Sequence, residues 1–319
     1  MKVTEHIENK NGNTQFSFEI LPPLKGRNIQ SVFNSIDPLM EFKPPFIDVT
    51  YHREEYVYKE MENGLLQKKI VRKRPGTVGI CAAIQNKYKV DAIPHVLCGG
   101  FTKEDTENFL IDLDFLGIDN VMALRGDAVK SEVYFKPEKD GHCYADGLVE
   151  QIIQMNKGKY LDDETVNQSK TNFCVGVAGY PEKHMEAPSL QSDISYLKKK
   201  IEKGASYIVT QLFFDNAKFF EFVTACRKSG ITVPIIPGLK PISTKKQLSI
   251  LPYRFHVDLP EALTNEVTKC KDNKAVRQVG IEWCIAQSKE LIKSNDIAFL
   301  HYYSMGKSDN IRQIASNLF

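Results

Sequence analysis

Cys174-Val175-Gly176-Val177-Ala178-Gly179-Tyr180-Pro181 is an apolar run, Asp193 to Lys203 is a helical pattern closed by Gly204, and Tyr207-Ile208-Val209-Thr210-Gln211-Leu212-Phe213-Phe214-Asp215 is apolar again. Strands buried on both faces read as continuous apolar runs of this kind, and parallel neighbours need a helix-sized crossover between them. The pattern repeats at once: a helix from Ala217 to Lys228 closed by Gly230 leads to Val233-Pro234-Ile235-Ile236-Pro237-Gly238. Glycine just past the last periodic residue is the expected helix stop.

The same rhythm extends in both directions. Upstream lie Phe16-Ser17-Phe18-Glu19-Ile20-Leu21, halted by Pro22-Pro23, and Phe46-Ile47-Asp48-Val49-Thr50-Tyr51. Thr77 to Gln85 fits either a strand or a helix, since short apolar runs do not separate the two. Ile93 to Cys98 ends at Gly99-Gly100, a helix from Asp105 to Leu116 stops at Gly117, and Asn120 to Asp127 is a strand that turns polar at its end. Downstream, a helix from about Lys274 to Lys293 precedes Ala298-Phe299-Leu300-His301-Tyr302-Tyr303-Ser304. The stretch 128–170, rich in Lys, Asp, Glu and Asn, reads as an insertion. Strand starts at Phe16, Phe46, Ile93, Asn120, Cys174, Tyr207, Val233 and Ala298 give about eight repeats, the number that closes a (β/α)8 TIM barrel. An open doubly wound sheet is the alternative, but the chain has neither GxGxxG after its first strand nor GxxxxGK[ST]. A single-domain α/β barrel over residues 1–319 is therefore expected.

Composition narrows the function classes. The chain has 319 residues, 42% hydrophobic and 26% charged, so a large core can be buried. Lys+Arg 42 against Asp+Glu 40 lacks the basic excess of a nucleic-acid binder. No apolar run approaches the ~20 residues that span a bilayer. The start Met1-Lys2-Val3-Thr4-Glu5-His6 has no apolar secretion signal, so a cytoplasmic location is expected. The seven cysteines, Cys81, Cys98, Cys143, Cys174, Cys226, Cys270 and Cys284, form no CxxC pair, and His52, His95, His184 and His301 lack paired spacing. A disulfide framework or a metal site is not expected.

Chemistry in such a barrel gathers at the C-terminal strand ends. Those ends carry Glu19, Thr50-Tyr51-His52, His95, Arg125-Gly126-Asp127, Tyr180, Gln211 and Tyr303. Singly each could be a cap or turn residue; together they form a polar ring on apolar strands. Glu19 is either a desolvated carboxyl with a raised pKa, suited to general acid work, or a carboxylate paired with Arg or Lys inside the barrel. Lys198-Lys199-Lys200 is either a solvated helical face or a phosphate site.

Phe18-Glu19-Ile20-Leu21-Pro22-Pro23, Ala123-Leu124-Arg125-Gly126-Asp127, Ala178-Gly179-Tyr180-Pro181-Glu182-Lys183-His184, Thr210-Gln211-Leu212-Phe213-Phe214-Asp215 and Ile235-Ile236-Pro237-Gly238-Leu239-Lys240-Pro241 resemble, in order and spacing, the signatures of the methylenetetrahydrofolate reductase family. The resemblance runs from about Phe16 to Lys307. It implies an FAD-containing barrel that reduces 5,10-methylenetetrahydrofolate to 5-methyltetrahydrofolate with NADH or NADPH in a ping-pong cycle, supplying methyl groups for methionine synthesis. Carried over by motif, Glu19 falls at the general acid and Asp127 at the carboxylate beside the flavin. Gln211, Gln247 and Lys307 fall at substrate contacts. Thr50, Tyr51, Arg53, His95, Arg125, Gly126, Asp127, Ala145, Tyr180, His184, Ala187, Asp193, Tyr196, Lys199 and Lys200 fall at FAD contacts.

Some positions depart from better-known bacterial members, with Tyr196 in place of Asn and Lys199 and Lys307 in place of Arg, which removes bidentate reach while keeping the charge of the two lysines. Leu251 stands where some members place a Phe against the nicotinamide. The chain ends at Phe319, so the resemblance implies a bacterial-type catalytic domain without the S-adenosylmethionine-binding regulatory domain of eukaryotic members. Self-association into a homo-oligomer is expected, with small-molecule substrates and no nucleic-acid or membrane partner. Two other readings stay open: another FAD-dependent barrel, similar to proline dehydrogenase, and a non-catalytic folate- or flavin-binding protein.

Overall fold

Side chains alternate along a strand, so a parallel sheet that closes on itself needs one set of residues for its lumen and another for the surrounding helices. The structure is a computed structural model that describes residues 1–10, 12–129, 132–162, 164, 168–294 and 297–319. Strand β1 (Gln15–Ile20) shows the division at once. Its Phe16, Phe18 and Ile20 join the large outer core, leaving Ser17 and Glu19 for the lumen.

Short helix α1 (Val3–Glu8) precedes β1, and α2 (Gln30–Ile36) with a 3-10 turn (Asp37–Phe42) connects it to β2 (Phe46–Val49). An antiparallel hairpin, β3 (Glu55–Glu60) and β4 (Leu66–Val71), follows, then α3 (Thr77–Tyr88) and β5 (Asp91–Leu97). Next come α4 (Lys103–Phe115), β6 (Asn120–Leu124), α5 (Ala145–Asn156), β7 (Cys174–Gly179), α6 (Leu190–Glu202), β8 (Tyr207–Thr210) and α7 (Asn216–Lys228). The last quarter holds β9 (Ile235–Ile236), β10 (Gly238–Leu239), α8 (Gln247–Phe255), α9 (Glu261–Lys269), α10 (Asn273–Lys293), β11 (Phe299–Tyr303) and α11 (Asp309–Ala315).

The main sheet runs β10-β11-β1-β2-β5-β6-β7-β8-β9, every pair parallel. Strands β9 and β10 are one barrel position broken at Pro237, which has no N–H to give to a ladder. The first half pairs with β8 and the second with β11, so the break joins the two edges of the sheet. Eight strand positions with helical crossovers make the expected TIM barrel. Helix α1 plugs its lower end: the Val3 N–H donates to Asn120 Oδ1 at 2.9 Å, and Val3 packs with Phe46, Ile93, Met122 and Phe299. No described helix is long and apolar enough to cross a membrane.

The structure settles the one open assignment and departs from the expected pattern at the 128–170 stretch and the β3–β4 hairpin. The ambiguous run from Thr77 is helix α3, and its buried residues Thr77, Ile80, Cys81 and Ile84 follow helical spacing. The polar stretch 128–170 contains the barrel's own crossover helix α5, whose Leu148, Val149, Ile152 and Met155 are buried against neighbouring elements. Residues 130, 131, 163 and 165–167 of that stretch lie outside the described residues. The β3–β4 hairpin is an addition to the expected strands, although Asn63-Gly64 signals a tight turn; Gly64 takes φ +77° there.

Interior packing depends on a missing side chain at Gly176. A Cβ on Gly176 of β7 would lie 2.4–2.6 Å from the ring carbons and hydroxyl of Tyr207, so the small residue makes room for that ring inside the barrel. Gly176→Ala should therefore cost about 1–3 kcal/mol by overpacking, read as a lower urea midpoint. Adding Tyr207→Val should recover part of the loss; a midpoint unchanged by Gly176→Ala would mean the lumen is looser than described.

Candidate active site

Register places the polar lumen residues at common levels. Glu19 lies opposite Asp48 of β2 on one side and Tyr303 of β11 on the other, and one layer below Ser17 lies opposite His301. His95 enters from β5, with its Nε2 3.6 Å from both Glu19 Oε2 and Asp48 Oδ2. All four of Glu19, Asp48, His95 and His301 are buried. Ser17 Oγ and His301 Nδ1 are 3.0 Å apart. Ser304 Oγ donates to the Glu19 carbonyl at 2.6 Å, and the Tyr303 hydroxyl donates to the Thr210 carbonyl at 2.6 Å, tying the top of β11 to its neighbours. Asp48 Oδ1 and the Tyr207 hydroxyl are buried without hydrogen-bond partners.

Burial dominates the electrostatics. It pushes the Glu19 carboxyl up to about 7; His95 and Lys240 oppose the shift and Asp48 adds to it. Burial alone would favour a neutral His95, but the carboxylates of Asp48 and Glu19 outweigh it and raise the imidazole above its ordinary value. His301 has no such excess of neighbours and burial holds it down. Of the two readings of Glu19, the geometry fits the desolvated carboxyl: among the described residues its ion-pair neighbour is His95, and no Arg or Lys pairs with it.

Around this centre lie the residues expected at the flavin. Thr50 and Tyr51 follow β2, with Thr50 Oγ1 buried and unpartnered. Tyr51 accepts from Arg72 Nη2 at 3.3 Å and packs on Phe101 with centroids 5.1 Å apart. Arg53 pairs with Glu132 and donates to the Asp127 carbonyl at 3.3 Å, while its Nε has no partner. Arg125, after β6, pairs through both terminal nitrogens with Glu186, and its guanidinium sits 4.8 Å from the Phe135 ring centre. Gly126 takes φ +84°, the left-handed turn that lets the chain leave the strand, and Asp127 follows it exposed.

Ala145 opens α5. Tyr180 meets His184 edge to face at 4.9 Å, and burial raises the Tyr180 hydroxyl. The His184 N–H donates to Asp193 Oδ2 at 2.9 Å, and Ala187 is buried beside them. On α6 the three lysines separate: Lys198 and Lys199 are exposed, whereas Lys200 reaches inward to donate to the Ala178 carbonyl at 2.7 Å and is lowered by burial to about 8. Tyr196 is exposed, with Lys199 Nζ 5.7 Å from its ring centre.

The expected substrate contacts fall on the opposite rim. A cavity of about 240 Å³ between α8, the end of β10 and the β11–α11 loop is lined by Lys240, Gln247, Leu251, Tyr303 and Lys307, among others. Gln247 Oε1 accepts from the Ser243 N–H at 2.6 Å and the Thr244 N–H at 3.0 Å, which fixes the entry to α8. Gln211, just past β8, accepts from the Leu212 N–H at 2.9 Å. The residues expected at the cofactor thus lie on the β2–β7 side, Gln247 and Lys307 line the cavity on the β10–β11 side, and Gln211 follows β8 between them. Two members of the central cluster, Asp48 and Lys240, are absent from the sequence reading of the site. Asp48 carries the same signal as Glu19, one charge on the lumen-facing parity of an apolar strand.

Comparison with known proteins agrees. The profile of the Methylenetetrahydrofolate reductase family matches residues 2–319. Methylenetetrahydrofolate reductase (NADH) 1 of Arabidopsis thaliana is 33% identical over 330 residues, covering 100% of this chain and 51% of the plant protein. The probable methylenetetrahydrofolate reductase (NADPH) of Caenorhabditis elegans is 29% identical, covering 95% of this chain and 42% of its own length. The chain thus spans about half the length of these relatives. The 5,10-methylenetetrahydrofolate reductase of Escherichia coli is 29% identical over 93% of this chain and 88% of its own. A solved Clostridium thermocellum protein that binds two copies of 5-methyl-5,6,7,8-tetrahydrofolic acid shares the fold, with a TM-score of 0.57 at 15% identity over 99% of this chain and 98% of that one. With its barrel, its buried lumen carboxyl and a family profile matched from residue 2 to residue 319, the chain belongs to the methylenetetrahydrofolate reductase family.

Proposed function

We propose that this protein reduces 5,10-methylenetetrahydrofolate to 5-methyltetrahydrofolate with NADH or NADPH, using FAD, in the cytoplasm, and so supplies methyl groups for methionine synthesis. The observation that carries the reading is Glu19: a carboxyl buried at the barrel mouth, raised by burial to about 7, between a polar rim and a cavity.

The rim fits a flavin dinucleotide. Thr50 Oγ1 and Arg53 Nε are buried without hydrogen-bond partners, donors that a polar ring edge or a phosphate would satisfy. Arg53 and Arg125 bring two guanidiniums to the same side, and Gly126 keeps the backbone there free of a side chain. Thr50, Tyr51, Arg53, His95, Arg125, Tyr180, His184 and Asp193 are the residues assigned to hold it, with Lys200 supporting the end of β7 from beneath rather than facing outward. The flavin, when bound, supplies a two-electron carrier that accepts hydride from the nicotinamide and passes hydride to the folate methylene carbon, the two substrates using one pocket in turn.

The protein's own groups manage charge and protons. Glu19 donates its proton to the folate amine nitrogen that must leave the methylene bridge, and a carboxyl with a pKa of about 7 is matched to that task at neutral pH. The bridge then opens to an iminium cation, whose positive charge the Asp127 carboxylate stabilises. Gln247 and Lys307 orient the folate from the cavity, where Leu251 packs as an aliphatic wall, and Gln211 contacts it from the end of β8.

The visible spectrum of the purified protein tests this reading. It should show a flavin that NADH or NADPH bleaches anaerobically and methylenetetrahydrofolate restores. A protein that takes up no FAD would overturn the assignment, and a flavin bleached by proline instead would move the chain to another barrel oxidoreductase. Glu19→Gln should retain bleaching by NAD(P)H and lose reoxidation by the folate by about 100-fold or more, the usual scale of general acid catalysis.

The same substitution should stabilise the fold in a pH-dependent way. Glu19 is raised on folding from 4.5 to about 7, so its contribution to stability is present below the unfolded value and is lost as pH rises through the folded one. Glutamine cannot ionise. Relative to wild type, Glu19→Gln should therefore gain up to about 3 kcal/mol between about pH 4 and pH 8, since a tenfold change in proton affinity is worth roughly 1.4 kcal/mol. Urea midpoints that run parallel for the two proteins across that range would refute the raised carboxyl.

A further inference from the structure

Lys240 is a lysine about nine-tenths buried, and its ammonium makes no hydrogen bond or ion pair among the described residues. Long cationic side chains almost never occupy such a place without a compensating group, because burying an unpaired charge is costly. The register brings one carboxylate to its level. Leu239 lies opposite Tyr302, so Lys240 continues to the level of Tyr303, and Tyr303 lies opposite Glu19. Leu239 packs in the outer core, which turns the next residue, Lys240, to the lumen, where it lines the cavity beside Tyr303.

We propose that Lys240 is a positioning residue for Glu19: an ammonium on the β10 side of the barrel mouth that sets the pH at which the acid releases its proton. The inference rests on the role proposed for Glu19 above.

The groups facing the pair are few and can be weighed. Glu19 meets Asp48 from β2, His95 from β5, and Tyr303 and, one layer lower, His301 from β11. His95 is 3.6 Å from Asp48 as well as from Glu19, so its positive charge is shared between two carboxylates. Lys240 approaches from the far side, and Glu19 is the one carboxylate acting on it; Cys284 of α10 is its other electrostatic neighbour. Arg254 of α8 and Lys307 line the same cavity as like charges. The effect is reciprocal: Lys240 draws Glu19 down from where burial alone would place it, and Glu19 holds up a lysine that burial lowers to about 8. Near neutral pH the two therefore titrate close together, and a proton lost from Glu19 leaves a carboxylate beside a cation rather than an isolated buried charge.

The test reads the carboxyl directly. The carbonyl band of protonated Glu19 is followed by infrared difference spectroscopy against pH in the purified protein, with Glu19→Gln identifying the band by its loss. In Lys240→Met the band should persist to a pH higher by about 1 or more, the scale on which a neighbouring opposite charge acts. Lys240→Arg keeps the charge and should return the titration towards wild type. The high-pH limb of folate reduction should move upward with the band in Lys240→Met. A band that titrates in Lys240→Met and Lys240→Arg at the wild-type pH overturns the pairing, whether or not the variants turn over. Should Lys240→Met fold poorly, Lys240→Gln gives the same readout with a polar side chain. A shifted band in a protein that never reduces the folate would uphold the pairing and overturn the reaction instead.

Discussion

A carboxyl group kept out of water at the mouth of a closed parallel barrel is the constraint on which the site depends. Ionised and unpaired, Glu19 would be costly; protonated, it is an acid stored where bulk water does not reach it. The surrounding residues hold it between these limits. Asp48 and burial push its proton affinity up, while His95 and Lys240 pull it down. The raised carboxyl is a small instability carried inside a large barrel, as expected where a fold gives up some stability for a chemical task.

The barrel makes this possible because closure separates two surfaces of each strand. Phe16, Phe18 and Ile20 bind β1 to the helices, and so does Leu239 for β10. Their lumen-facing neighbours are thereby released from packing duty and free to be polar. Lower in the lumen the same positions are apolar, with Phe46, Ile93, Met122, Tyr207 and Phe299 forming a plug completed by Val3. The polar layer therefore rests on a largely apolar floor, and Gly176 gives the Tyr207 ring its place in it. The interruption of the strand at Pro237 lies at the seam of the barrel and leads directly to Lys240.

The two rims divide the remaining work. On the β2–β7 side, Glu132 and Glu186 pair with Arg53 and Arg125, and Thr50 Oγ1 and Arg53 Nε are buried without hydrogen-bond partners among the described residues. On the β10–β11 side, the cavity contains lysine and arginine side chains with no carboxylate among its lining residues. Both a reduced folate and a nicotinamide nucleotide are anionic, so that charge balance is compatible with the single shared pocket the proposed reaction needs.

Much of this is legible in the chain itself. Apolar runs alternating with helical patterns, three of them closed by Gly117, Gly204 and Gly230, set the strand count and the barrel, because burial on both faces and a parallel crossover leave a periodic trace in any sequence. Glu19 stands out since a charge within an apolar strand violates that trace. Asp48 violates it equally, with no family motif to single it out, and the Asn63-Gly64 turn announces a hairpin that the count of barrel strands does not need. What sequence could not decide was distance across the lumen. His95 between Glu19 and Asp48 and the common level of Lys240 and Glu19 across Tyr303 join residues from 29 to 221 positions apart, and the inward turn of Lys200 splits it from its neighbours Lys198 and Lys199. Local periodicity determines which face a side chain takes; only closure of the barrel determines which faces meet, and the burial that raises Glu19 and lowers Lys240 is a property of that meeting.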